Sequence, residues 1–271
     1  MSAYLAAFRA RARTVVRYRA AALAGIFTQV FFGFILVMVL ESWFMGSPGV
    51  ARFGFTQAAS YVWLGQAFLA LQVWGPDPEL RDLIRSGEIA RDLLRPTSLY
   101  GLWFVRTLAW KCVALAMRLG AVLAFAGFGL PLLGMADLAL RPPASWPAFF
   151  AFLAMLVPAA LSSAALAAGV SCFQFRQISA AGASAMAAAL SSFFSGLIIP
   201  LPLLAGPVEA ISRYLPYRGL ADLPFRFWLG EAQLRDLPAA FAGQTAWALA
   251  LFAAGAAYVR SRAGRGAVAG G

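Results

Sequence analysis

Gly75-Pro-Asp-Pro-Glu-Leu-Arg-Asp-Leu-Ile-Arg-Ser-Gly-Glu-Ile-Ala-Arg-Asp-Leu-Leu-Arg-Pro96 is the stretch on which the reading of this chain turns. Between Asp77 and Arg95 stand Asp77, Glu79, Asp82, Glu88 and Asp92, five of the eleven acidic residues in the whole sequence, with Arg81, Arg85, Arg91 and Arg95 among them. The chain around this island is of another kind: 62% of its 271 residues are hydrophobic and only 12% are charged. That composition marks a polytopic membrane protein. Nothing as charged as the island lies in hydrocarbon, so it stands in water between two membrane spans.

A chain of this length holds about six helical spans of roughly 20 residues. The apolar runs place them at 20–40, 53–74, 104–130, 148–170, 178–204 and 238–259, within a single transmembrane domain, 1–271. Before the first span, Arg9, Arg11, Arg13, Arg17 and Arg19 alternate with Tyr4, Leu5, Phe8, Val15 and Val16. A signal peptide begins in the same way, but no small-residue cleavage site follows the apolar run, so 1–19 reads as a basic helix lying on the membrane surface. Between the fifth and sixth spans, Pro200, Pro202 and Pro207 break the chain. Glu209, Arg213, Tyr214, Tyr217, Arg218, Asp222, Phe225, Phe227 and Trp228 then mix charge with aromatics, the pattern of one or two short re-entrant or interfacial helices on the outer side. Residues 260–271 read as a flexible tail.

Orientation follows from counting basic residues. With both termini cytoplasmic, the inner segments carry fourteen arginines (Arg9, Arg11, Arg13, Arg17, Arg19, Arg81, Arg85, Arg91, Arg95, Arg106, Arg176, Arg260, Arg262 and Arg265) and the outer segments carry six (Arg52, Arg141, Arg213, Arg218, Arg226 and Arg235). This satisfies the positive-inside rule and puts the charged island in the cytoplasm. The same rule accounts for the net charge of +11 without recourse to nucleic acid.

Inside the spans the polar residues are few. Gln57, Gln66 and Gln72 mark the second span, where amides serve either to bond neighbouring helices or to line a polar path. In the third span Arg106 and Lys111 lie near the inner end and are expected to snorkel, whereas Arg118 falls about 18 Å beyond Arg106, near mid-depth. Two roles suit Arg118: attraction of an anionic group on a substrate or partner, or hydrogen bonding to neighbouring carbonyls, the bland reading and the one favoured here. Ser184/Ala188, Ser191/Ser195 and Ser192/Gly196 give the fifth span small residues at four-residue spacing, which predicts close packing at the centre or at a subunit contact.

Several chemistries are excluded. Without histidine there is neither a Ser-His-Asp triad nor a histidine metal site, and Cys112 and Cys172 alone hold no metal. They are expected to be free thiols at the inner ends of spans. All eleven acids fall in loops or at span ends, which argues against a secondary transporter coupled to protons or sodium, and no converging acids or activated nucleophile point to a membrane enzyme. A purely structural membrane protein stays open but gives no reason for the island.

As local structure, the island reads as two short amphipathic helices. Asp77 suits an N-cap and Pro78 a first helical position, Ser86-Gly87 breaks the segment, and Pro96 ends it. Leu80, Leu83 and Ile84, then Ile89, Leu93 and Leu94, draw an apolar ridge edged by charge. That pattern fits a solvated connector and a docking element equally.

Arg85-Ser-Gly-Glu-Ile-Ala-Arg-Asp-Leu-Leu-Arg-Pro96 resembles the cytoplasmic loop of ABC-2 type permeases, the membrane subunits of ATP-binding-cassette exporters, in the branch with an Ile-x-Ser-Gly-Glu-Ile…Leu-Leu-Arg-Pro signature after the second span. The layout of six spans, basic N-terminal helix and aromatic outer segment is similar as well, so the likeness covers nearly the whole chain. The resemblance implies a coupling segment at 76–96. Ile84, Arg85, Gly87, Glu88, Ile89, Arg91, Leu93, Leu94 and Arg95 would dock on a separate nucleotide-binding ATPase. It further implies a second permease as partner, itself or a similar chain, a pathway between the two lined by parts of spans one, two and five, with Arg118, Gln57 and Gln66 as pathway candidates, and a place in the bacterial inner membrane. ATP and magnesium would sit on the partner. In agreement, the sequence has no G-x-x-x-x-G-K-[ST] phosphate loop, and its one lysine, Lys111, lies within a span. This chain is expected not to hydrolyse ATP.

Overall fold

The computed structural model describes residues 2–17, 19–46, 53–74, 82, 86, 97–173, 181–204 and 206–266. Every regular element among them is helical. The basic N-terminal segment forms α1 (Ser2–Arg17), and α2 (Arg19–Gly46) follows it. The next helices are α3 (Phe55–Phe68), α4 (Leu99–Ala124), α5 (Trp146–Phe173) and α6 (Ala181–Phe194). Two short helices, α7 (Pro207–Ser212) and α8 (Asp222–Leu229), precede the long α9 (Leu237–Gly266).

Four of these helices are long and apolar enough to cross a membrane, over Leu23–Gly46, Leu99–Leu132, Trp146–Cys172 and Leu234–Ser261. The third stretch of the sequence reading, 104–130, is prolonged because α4 passes through a π turn at Phe125–Gly129 into Leu130–Leu132. The runs at 53–74 and 178–204 are built differently. α3 has 14 residues, about 21 Å of helix against roughly 30 Å of hydrocarbon, and the described part of α6, which begins where residues 174–180 lie outside the description, has as many. α3 tightens into a 3-10 turn at Leu69–Leu71 and then becomes extended at Gln72. α6 gives way after Phe194 to turns at Ser195–Ile199, with Gly196 at φ +85° where the Tyr61 hydroxyl leaves no space for a Cβ. An apolar run therefore does not here equal one straight helix.

α3 is the buried axis of the bundle. Every residue from Ala58 to Phe68 is buried, Trp63, Leu64 and Phe68 completely. Around it pack Val122, Ala126 and Leu130 of α4, Phe152 and Ala159 of α5, and Phe225 and Trp228 of α8. The rings meet edge-on, Phe68 and Phe225 at 4.7 Å and Tyr61 and Phe225 at 4.9 Å between centroids. Hydrocarbon is no less apolar than such a core, so close packing and buried hydrogen bonds must hold the helices together. The loop after α4 supplies several. Trp63 Nε1 donates to the Leu138 carbonyl at 2.8 Å, Trp228 Nε1 to the Arg141 carbonyl at 2.9 Å, and Arg141 N to Ser60 Oγ at 2.9 Å.

This packing narrows three expectations. The segment before the last span forms two short helices, and α8 is set into the bundle, with Phe225, Phe227 and Trp228 buried, so of the two alternatives only the surface-lying one is at odds with it. α6 is not central within the chain, since Met186 is 64% exposed and only its last turn, at Ser191 and Ser192, is buried, which leaves the other expectation, a subunit contact. The 260–271 tail is helical as far as Gly266, because α9 continues without a break past Val259. Meanwhile α1 leans on the start of α4, where Tyr4 Oη accepts from Ser98 N at 3.0 Å.

Candidate functional site

Of the island, Asp82 and Ser86 are described, and Ser86 N donates to the Asp82 carbonyl at 2.9 Å. Ile84, Arg85, Gly87, Glu88, Ile89, Arg91, Leu93, Leu94 and Arg95 lie outside the described residues. Among the described polar residues within the bundle, three groups bear on function.

The first group surrounds the unwound end of α3. Lys111, expected to snorkel, is instead 1% exposed and donates from Nζ to the carbonyls of Gln72 at 2.8 Å and Ala70 at 3.3 Å. The 3-10 turn has freed these carbonyls, and a buried cation is the strongest donor available for them. Ser163 Oγ donates to the Leu71 carbonyl. The Gln72 side chain reaches the last turn of α6, donating to Ser195 Oγ at 3.1 Å and accepting from Ser191 Oγ at 2.9 Å. Carbonyl capping, the task expected of Arg118, thus falls to Lys111.

The second group is a buried ion cluster. Asp222 opens α8 with its side chain completely buried, and it accepts from Arg218 Nε at 2.8 Å and Arg226 Nε at 2.7 Å. Tyr61 Oη donates to its other oxygen at 3.1 Å. Arg226 also pairs with Glu209 at 3.1 Å, and Glu209 with Arg213 at 3.5 Å. Burial alone would lower the Arg226 guanidinium, but the Asp222 carboxylate beside it, their hydrogen bond and Glu209 hold it above its ordinary value. The spacing of Arg218, Asp222 and Arg226 at four residues was the signal in the sequence for two of these contacts. This cluster fixes α7, α8 and α3 to one another and has no open coordination for a reactant, so its chemistry is that of a clamp.

The third group runs along one face of α2. Gly25, Gln29 and Gly33 recur at four-residue spacing. A Cβ at Gly25 would lie 3.4 Å from a terminal nitrogen of Arg118, and one at Gly33 would lie 2.9 Å from Gln66 Cγ and 2.6 Å from the Trp63 ring. Two predicted pathway residues, Arg118 on α4 and Gln66 on α3, are therefore brought to the same face of α2. Gln57 is not: it sits about 13 Å away along α3 and holds that helix's start, its Oε1 accepting from Gly54 N at 2.9 Å and its Nε2 donating to Glu231 at 2.6 Å. Among the described residues Arg118 forms no hydrogen bond or ion pair, and the buried side-chain oxygens of Gln29 and Gln66 have no partner. Gln29 was not singled out in the sequence, where it is one amide in a long apolar run.

A cleft of about 510 Å³ opens elsewhere, between α5, α6 and α9, walled by Leu166, Met186, Leu190 and Leu251 with the Tyr217 and Tyr258 rings. Cys112 and Cys172 are both free; Cys112 lies well inside α4 beside Lys111 rather than at a span end. No group of three metal-ligating residues occurs among the described residues. No protein-family model, characterised protein or solved structure matches the chain. The geometry defines a helical protein with four helices of membrane-spanning length and a polar face at α2.

Proposed function

We propose that this chain is the membrane-spanning permease subunit of an ABC-2 type exporter. It resides in a bacterial inner membrane with both termini in the cytoplasm, and it couples through residues 76–96 to a separate ATPase subunit. The observation that carries the reading is the Arg85–Pro96 sequence, with its signature residues Ser86-Gly-Glu-Ile89 and Leu93-Leu-Arg-Pro96, in a chain that lacks any phosphate loop of its own. Four long apolar helices support a membrane location. In the six-span arrangement α3 and α6 would be the short spans, completed by their unwound ends.

In this mechanism two permeases enclose the pathway. Closure of two ATP-loaded nucleotide-binding subunits pushes on the ridge of Ile89, Leu93 and Leu94, with Glu88 and the arginines making charge-assisted contacts at its edges. Bundles held rigid by clamps such as Asp222 and Lys111 pass that push on as a tilt rather than absorbing it. Arg118 and Gln66 would face the translocated molecule. The chain itself is not catalytic; ATP and magnesium belong to the partner. Purification of the tagged chain from its native membranes tests the proposal: an ATPase subunit should come with it. A stable transporter active without any ATPase would favour a secondary transporter instead, and a chain with neither partner nor transport a structural role.

A further inference from the structure

The arginines of α1 are not equivalent once the helix is folded against its neighbour. α1 leans on the start of α4 with Tyr4, Ala7, Phe8, Arg11 and Val15 half-buried on one face. Tyr4 fixes the contact: its hydroxyl accepts from Ser98 N, and a Cβ at Gly101 would lie 3.2 Å from it. Arg9, Arg13 and Arg17, at four-residue spacing, therefore turn outward in one row about 12 Å long, and all three are exposed. None of them makes an ion pair or hydrogen bond among the described residues, and α1 has no acid of its own. Beside this row stand Leu5 and Val16, 47% and 41% exposed on the same face. Water favours neither apolar side chain. A bilayer surface accepts both kinds, with the apolar edge at the acyl boundary and the cations among the phosphates. The row is also close to the membrane. One residue separates α1 from α2, and the membrane-spanning stretch of α2 starts at Leu23, about 9 Å of helix after Arg17.

We infer that the outward face of α1 docks on the head groups of anionic phospholipids, with Arg9, Arg13 and Arg17 on the phosphates and Leu5 and Val16 at the acyl boundary. A row of this length faces more than one phosphate at a time, which a membrane surface offers and a single dissolved anion does not. The acidic leaflet is the cytoplasmic one, where the proposed orientation puts the N-terminus. The inference rests on that orientation and is independent of coupling to an ATPase.

The test uses the purified full chain in phosphatidylcholine nanodiscs with a trace of photoreactive phosphatidylglycerol or, in parallel, photoreactive phosphatidylcholine. Both probes carry a diazirine on the same acyl carbon near the head group, and labelling within residues 2–17 is read by mass spectrometry. One arginine near a membrane surface favours an acidic lipid about fivefold, so the row should give phosphatidylglycerol at least about a tenfold advantage. That advantage should hold at about 0.01 M salt and mostly vanish at about 1 M. Joint substitution of Arg9→Gln, Arg13→Gln and Arg17→Gln should abolish it, and joint substitution of the three by Lys should keep most of it. Because these side chains hold no partner within the described chain, both variants should unfold at the wild-type temperature, which excludes misfolding as the cause. Arg13→Gln alone should cost about fivefold, whereas Arg260→Gln, at an exposed cation on α9, should leave the labelling of α1 unchanged. Equal labelling by the two lipids, a preference that survives the triple change to Gln, or equal losses for Arg13→Gln and Arg260→Gln overturns the inference. No ATPase is present, so failure here leaves the coupling proposal standing, and failure of that proposal leaves this result intact.

Discussion

Tyr61 of α3 donates a 3.1 Å hydrogen bond to the completely buried carboxylate of Asp222, 161 positions later in the chain, while Arg218 and Arg226 close on the same carboxylate from either side. One acid thus pairs with two guanidiniums, one of them shared with Glu209, and anchors the central helix. Asp222→Ala leaves both cations facing a hole and should cost about 3–5 kcal/mol, whereas Tyr61→Phe removes one hydrogen bond and should cost about 1 kcal/mol. Thermal unfolding of the detergent-purified protein measures the order; equal losses would mean that the cluster is not the clamp described.

Lys111 and Arg118 lie two turns apart on α4 and make opposite predictions. Lys111→Met strips a donor from the carbonyls of Ala70 and Gln72 and should destabilise the protein by about 1–3 kcal/mol. Arg118→Gln removes a cation that makes no internal bond, so stability should stay level or rise. Unfolding midpoints that fall for Arg118→Gln and hold for Lys111→Met would reverse the two assignments.

Helix α9 is seated on α4 and α5 at Gly255, where a Cβ would run into the Tyr100 ring. Gly255→Ala should force that ring off its bond to the Ala165 carbonyl, 3.1 Å in the native packing, and lower stability by about 1–3 kcal/mol. Combining it with Tyr100→Val should cost less than the sum of the two single changes, since the clash is then absent. Simple additivity in thermal unfolding would show that the two residues are not in contact.

Much of this architecture was legible in composition. Charge-free runs of 20 or more residues found three of the long helices, an apolar run broken by Arg106, Lys111 and Arg118 found α4, and the arginine-studded start gave α1, because hydrocarbon tolerates so few alternatives. The length of α3 and the end of α6 were not legible, since an apolar run does not say whether its faces meet lipid or protein, and the turn at Gly196 lies against Tyr61, a residue far away in sequence. Lys111 took the carbonyl-capping role expected of Arg118 for a similar reason. Both are cations within one helix, and only the unwinding of α3 at Leu69–Gln72 decides which of them meets free carbonyls. Of the α2 face, Gln66 and Arg118 stood out as polar exceptions. Gln29 did not, because its meaning depends on the two glycines on either side that let α3 and α4 approach.

The central claim is that residues 76–96 couple this chain to an ATPase, and Glu88 is its sharpest point because reversing one charge on the docking ridge should spoil the contact without disturbing the bundle. The decisive measurement is the ATPase activity that co-purifies with the tagged chain from native membranes, compared for the wild type and Glu88→Lys at equal amounts of inserted protein. The account predicts a bound, ATP-hydrolysing subunit with the wild type and at least about a tenfold loss of it with Glu88→Lys. A wild-type chain that brings down no ATPase, or a Glu88→Lys chain that retains it in full, would contradict the account.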